Sequence, residues 1–192
     1  MFKQLCNRFV IVVALLLTSA CASAPDVAHP KAVSGPGFSF HVPGNWTAAQ
    51  TKETADGQQT TTVTVEGKAD SLMMLFAFEP AIPVDLNEFA AGMQTELTAQ
   101  VQDKTSVGSV HLAKTRHDPT TEIQREIAGG TRLGRRMHWQ ISVLGTDVPH
   151  TIELYTLTSP TRSFVLFSQV PDEEAEQEKP GLALVLDSLK LM

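Results

Sequence analysis

The sequence predicts an α+β fold: an antiparallel β-sheet sandwiched by helices. Three observations carry this. Apolar and polar residues alternate in Phe38-Ser39-Phe40-His41-Val42 and again from Met137 to Val143, the period of a strand buried on one face. Leu72–Phe78 and Ser163–Ser168 are apolar almost without interruption, as strands covered on both faces are. Two further segments, 85–103 and the stretch that ends at Leu189, repeat apolar residues at steps of three and four, the spacing of helices with one buried face.

The chain opens differently. Lys3 and Arg8 precede nine apolar residues, Phe9 to Leu17, and then Thr18, Ser19, Ala20 and Cys21. This charged, apolar, small-residue order is that of a secretory signal. As a helix the apolar run would span about 14 Å against about 30 Å of hydrocarbon, too short for an ordinary spanning anchor. Thr18-Ser19-Ala20-Cys21 resembles the lipobox of bacterial lipoproteins. The resemblance implies a diacylglyceryl group on the sulfur of Cys21, cleavage before it, and a mature chain that starts there. Ala22 stands where Asp would signal retention at the inner membrane, so the resemblance points to the outer membrane, facing the periplasm. The alternative is an ordinary signal peptide cleaved near Ala22 or Ala24.

Residues 21–36 contain Pro25, Pro30, Ser34, Gly35 and Pro36 and few bulky apolar side chains, which reads as a lipidated cysteine followed by a flexible tether, with His29 solvated. The domain is expected over residues 37–192. Phe38–Val42 is its first strand, ended by Pro43-Gly44, with Trp46 packing back on the sheet. A second strand is expected over 60–66 after the turn-like Asp56-Gly57. Leu72–Phe78 is the candidate for the centre of the sheet, and Met73 and Met74 fill opposite faces rather than share a metal. Pro80 and Pro83 end that strand. Asp85-Leu86-Asn87-Glu88 has the spacing of a capping box, and Leu86, Phe89, Ala90, Met93, Leu97 and Val101 make one stripe.

From Val107 to Gly145 the chain reads as successive strands with a turn or bulge at Gly129-Gly130. Gly145-Thr146-Asp147 turns it into a strand over 152–157, and Pro160-Thr161-Arg162 turns it into the strand that follows. The acidic run 172–178 suits a helix start and a solvated surface. Pro180 either occupies the first turn of the last helix or interrupts a longer one. That helix carries Leu182, Val185, Leu186 and Leu189 and covers the sheet.

Phe38-Ser39-Phe40-His41-Val42-Pro43-Gly44-Asn45-Trp46, the capped helix, the run of hairpins and the ending Leu186-Asp187-Ser188-Leu189-Lys190-Leu191 together resemble the PsbP-like superfamily. Its relatives include photosystem accessory subunits and bacterial periplasmic lipoproteins. The resemblance implies an α/β/α sandwich and a binding, assembly or chaperone-like accessory, and it transfers no catalytic residue.

The chain has 15 basic and 21 acidic residues, and loss of a signal that holds Lys3 and Arg8 makes it more acidic still. Such a charge argues against nucleic acid as a partner. Without Cys6, Cys21 has no partner for an internal disulfide. No G-x-S-x-G, H-E-x-x-H, cysteine pair, phosphate-cradling loop or dinucleotide fingerprint is present, so no catalytic, cofactor-binding or metal-ligating residue is assigned and an enzyme is not expected. His41, His111 and His138 occupy polar positions of strands from which a shared groove can take zinc or copper, against the blander reading of scattered surface histidines. Arg132, Arg135 and Arg136, with Arg125 nearby, form the one notable cationic cluster, and Arg135 and Arg136 must face opposite ways on a strand. Such a hairpin either docks an acidic partner or is a solvated edge.

The expected role is therefore a membrane-anchored accessory to another envelope or secreted protein. An immunity or inhibitor lipoprotein that neutralises a toxin, and a small-ligand carrier or enzyme of envelope material, are the alternatives. Labelling of cells with a palmitate analogue is expected to mark the unaltered chain and not Cys21→Ala; label on neither removes the anchor.

Overall fold

The computed structural model describes residues 23–68, 71–104, 106–107, 110–111, 113–143 and 146–192. The signal and Cys21 lie outside the described residues.

The tether expected up to residue 36 is, from Ser23 onward, part of the folded body. β1 (Lys31–Gly35) pairs antiparallel with β2 (Phe38–Val42) from Lys31↔Val42 to Gly35↔Phe38, around a turn in which Gly37 has φ +78°. Ahead of it the side chain of Asn45 donates to the carbonyl of Ala24 at 2.9 Å and accepts the amide of Asp26 at 2.8 Å, while Gly44 donates its amide to the Asp26 carbonyl at 2.8 Å. Composition hid this because small residues and prolines suit an edge segment as well as a linker.

β3 (Thr47–Ala55) and β4 (Gln58–Glu66) form a hairpin closed by Asp56 and Gly57, whose φ values of 52° and 77° make a type I′ turn. The sequence did not announce β3. It is exposed from Thr47 to Thr54 and so carries no apolar alternation. β5 (Leu72–Glu79) follows, then the proline-flanked link to α1 (Leu86–Lys104). Asp85 caps that helix, its Oδ1 accepting the amides of Asn87 at 2.7 Å and Glu88 at 3.3 Å. After the small hairpin of β6 (Ser106–Val107) and β7 (Val110–His111) come β8 (Ala113–His117), β9 (Thr121–Ile127), β10 (Gly130–Val143), β11 (Thr146–Thr158) and β12 (Ser163–Pro171). A 3₁₀ turn at Asp172–Glu174 leads into α2 (Ala175–Ser188), and β13 (Lys190–Leu191) ends on the far side of β2.

The large sheet has the order β3-β4-β5-β12-β11-β10-β8, with β9 also on β10, and every pairing is antiparallel. Successive side chains on its inner strands point to opposite faces. Met74, Phe76, Phe78, Val165 and Phe167 meet Phe89, Met93 and Leu97 of α1 on one side. Met73, Leu75, Phe164 and Leu166 meet Val185 and Leu186 of α2, together with Phe38 and Phe40 of the small β1-β2-β13 sheet, on the other. The two helices thus cover opposite faces of the sheet. Met73 and Met74 point apart, as the strand period requires.

Pro180 lies inside α2, the second of the two expected alternatives. It removes one i→i−4 hydrogen bond, and the residue after it, Gly181, lets the helix approach Trp46 closely. A Cβ at Gly181 would stand 2.4 Å from Trp46 Cζ2 and 2.9 Å from Pro25 Cβ, both parts of rigid rings. Gly181→Ala is therefore expected to destabilise the fold by about 1–3 kcal/mol in urea unfolding.

Candidate functional site

β9 and β10 form an arm whose tip, Ala128-Gly129, turns at positive φ. The register places Thr121, Ile123, Arg125 and Ile127 beside Arg136, Gly134, Arg132 and Gly130, so the face of the arm on the α2 side carries three arginines and no acid of its own. Arg125 stands directly opposite Arg132, a like-charge pair that is unfavourable by itself.

One acid from the neighbouring strand answers part of this charge. Glu153, opposite Arg136 on β11, has its side chain only 13% exposed. Arg136 donates from Nε at 3.0 Å and Nη2 at 2.5 Å to Glu153 Oε1. Arg125 Nη1 reaches Oε2 at 3.5 Å, and the hydroxyl of Tyr155 donates to the same oxygen at 2.8 Å. Burial, and then the hydrogen bond to the Glu153 carboxylate, push the Tyr155 hydroxyl well above its usual pKa, so it stays a proton donor to Glu153. Gly134 makes room for this: a Cβ there would lie 2.5 Å from Tyr155 Cδ1, so the tyrosine ring can cross β10 only at glycine.

Arg132 is left over. Its Nε approaches the Ile127 carbonyl at 3.5 Å, and among the described residues no carboxylate pairs with it. Arg135 does not join the others. It faces the α1 side, donating to Asn87 Oδ1 at 3.0 Å and to Glu122 Oε2 at 2.9 Å. The sequence cluster Arg132, Arg135 and Arg136 therefore divides, and Arg125 takes the place of Arg135 on the shared face.

Among the described residues the histidines are not brought together either. His41 is exposed on β2 of the small sheet, whereas His138 is exposed on β10, its Nδ1 3.3 Å from Thr151 Oγ1. The side chain of His111 lies outside the described residues. His29 sits 3.1 Å from the Asp26 carboxylate, and His150 is buried with Nδ1 3.0 Å from the Val148 carbonyl. Among the described residues no group of three His, Cys, Asp or Glu side chains can hold a metal. An apolar void of about 10 Å³ between the sheet and α2, bordered by Phe40, Met73, Leu166 and Val185, has room for no more than a water molecule.

One acid of the run 172–178 departs from the solvated surface expected of it. Glu178 has no exposed surface; Ser71 donates to its Oε2 at 2.9 Å, and its Oε1 has no hydrogen-bond partner among the described residues. The signal was present, since 178, 182, 185 and 189 fall on one helical stripe with glutamate at the first place. Burial raises the Glu178 carboxyl above the ordinary carboxylate range, the Ser71 hydrogen bond opposes that, and Glu174 adds to it.

No protein-family model and no curated protein matches this chain. Several solved structures are similar to it, among them the following three. The solution structure of cyanobacterial PsbP, CyanoP, from Synechocystis sp. PCC 6803 has 12% identity over 93% of this chain and 99% of its own, with a TM-score of 0.48. A crystal structure from Bacteroides thetaiotaomicron VPI-5482 has 12% identity over 84% and 48%, with a TM-score of 0.42. LpqN of Mycobacterium tuberculosis, described as involved in cell envelope biogenesis, has 11% identity over 85% and 91%, with a TM-score of 0.40. No helix among the described residues is long and apolar enough to cross a membrane.

The Glu178 carboxyl generates a pH dependence with a definite sign. Its folded-state pKa exceeds the unfolded one, so the folded chain binds the proton more tightly and stability falls as pH rises from the ordinary carboxylate value toward neutrality. Glu178→Gln is expected to raise the melting temperature near neutral pH and to flatten that decline, read by thermal unfolding at a series of pH values.

Proposed function

We propose that this chain is a lipid-anchored lipoprotein of the bacterial cell envelope whose PsbP-like domain is a non-enzymatic binding or assembly accessory, docking on an acidic surface of another envelope or secreted protein. The observation that supports the docking mode is the arginine face of β9 and β10, where Glu153 is engaged by Arg125, Arg136 and Tyr155 while Arg132, with its Nε on the Ile127 carbonyl, keeps its Nη donors for a further carboxylate.

The anchor belongs to the same proposal. Lipid on Cys21 holds the domain at the outer membrane, on its periplasmic side. Ser23 accepts a hydrogen bond at 3.3 Å from Asn45, so about 7 Å of chain separates lipid site from folded body. The domain then lies against the bilayer rather than on a long leash, and its partner is one that comes close to the membrane surface.

The arginines differ as probes. Removing Arg125 or Arg136 leaves Glu153 short of a partner in a mostly buried place, and the loss of stability would obscure any loss of binding. Arg132→Glu instead sets a carboxylate opposite Arg125 and relieves the like-charge pair. In intact cells, crosslinking followed by mass spectrometry of what purifies with the protein is expected to recover a partner with the unaltered chain and much less with Arg132→Glu, whose melting temperature is not lowered. Equal recovery from both removes the arginine face from the account.

A further inference from the structure

The two edges of the large sheet are built differently. On one side the edge of β10 is shared by two strands placed end to end, β9 along residues 130–136 and β8 along 139–143, and β8 carries Lys114 and Arg116. Short, charged, interrupted edges resist pairing with another strand. On the other side lies β3, and among the described residues it pairs only with β4. It has nine residues in an unbroken one-to-one register, with no proline and no bulge, and its only charged residues are Lys52 and Glu53.

The turn fixes which backbone groups face outward. A two-residue type I′ turn at Asp56-Gly57 makes Ala55 and Gln58 a hydrogen-bonded pair. Pairs alternate along an antiparallel ladder, so Thr47, Ala49, Thr51, Glu53 and Ala55 direct their N–H and C=O groups toward β4. Ala48, Gln50, Lys52 and Thr54 direct theirs to the free edge. These four positions are symmetric about Thr51.

We propose that β3 pairs antiparallel with β3 of a second copy of this chain, about a two-fold axis at Thr51, joining the two large sheets edge to edge. In this register Ala48 faces Thr54 and Gln50 faces Lys52 of the second copy, and every outward backbone group of the strand is bonded. The charges disfavour registers shifted toward the turn, and registers shifted away from it leave outward backbone groups of the strand unpaired. Moving the axis to Lys52 sets lysine against lysine, and moving it to Glu53 sets glutamate against glutamate, whereas at Thr51 Lys52 faces glutamine and Glu53 faces alanine. The interface is isologous, the arrangement that closes as a dimer. It leaves the arginine face of β9 and β10 at the opposite edge of the sheet, so it stands independently of the proposed function.

Thr51 faces its own copy in a non-hydrogen-bonded pair, where Cα atoms lie about 4.5 Å apart, within disulfide range. Glu53 lies four residues from its copy, about 13 Å along the strand, which is out of range. In the full chain with Cys6 and Cys21 replaced by serine, so that the introduced cysteine is the only thiol, Thr51→Cys is expected under mild oxidation to give a reductant-sensitive dimer that Glu53→Cys and the cysteine-free chain do not. Adding Gln50→Pro, which removes an outward N–H at an edge position where proline is tolerated, is expected to abolish that dimer and leave the melting temperature near its original value. The proposal is overturned by equal dimer from positions 51 and 53, or by a Thr51→Cys product of another mass. Persistence of the dimer with Gln50→Pro overturns it too. Sedimentation of the unaltered full chain in detergent is a check free of substitutions: a dimer is expected, and a monomer at every concentration overturns the assignment.

Discussion

The pairing of β5 with β12 is the constraint on which the rest of the structure depends. Seven consecutive register pairs, Leu72↔Gln169 to Phe78↔Ser163, hold side by side two strands that are apolar on both faces. Phe164, Val165 and Phe167 have no exposed surface, and each is worth about 1.5–3 kcal/mol only if both sides of the sheet are sealed. That demand requires α1 on one face, and α2 with the small β1-β2-β13 sheet on the other. It also sends exposed strands to the periphery, so both proposed interaction surfaces lie at the sheet's edges and not at its centre.

The seal on the α2 face depends on close approach. Gly181 admits the Trp46 ring, Pro25 packs beside them, and Asn45 holds the segment that brings Pro25 there. Residues whose composition resembles a linker thus help to bury a tryptophan. The same face accepts one acid without a counter-charge among the described residues, Glu178, in contact with Ser71 just ahead of β5. A buried carboxyl with an unpartnered oxygen costs stability at neutral pH, and the surrounding apolar contacts offset it.

On the β9–β10 arm, electrostatics and packing are coupled. The Tyr155 ring crosses β10 at Gly134, which places its hydroxyl on Glu153, and Glu153 then holds Arg125 and Arg136. A single acid satisfies two of three arginines on one face. The third, Arg132, supplies the residual positive charge in an otherwise acidic chain.

The sequence by itself determined the class of fold, most of the inner strands, the Asp85 cap and the stripes of both helices, because burial on one or two faces writes a period into the residues. It also separated Arg135 from Arg136, since adjacent residues on a strand face opposite ways. Only the tertiary structure decided what carries no such period. β3 is exposed along its length and leaves no apolar pattern; Lys31–Gly35 is ordered by its neighbour β2 and not by its own composition. The direct opposition of Arg125 and Arg132, and the convergence of Arg125 and Arg136 on Glu153, follow from cross-strand register between residues 7 to 28 positions apart, which local spacing does not encode, whereas Tyr155 reaches Glu153 from two residues along the same strand. Glu178 was written on the helical stripe, but the acidic run around it concealed it until α2 was seen against the sheet.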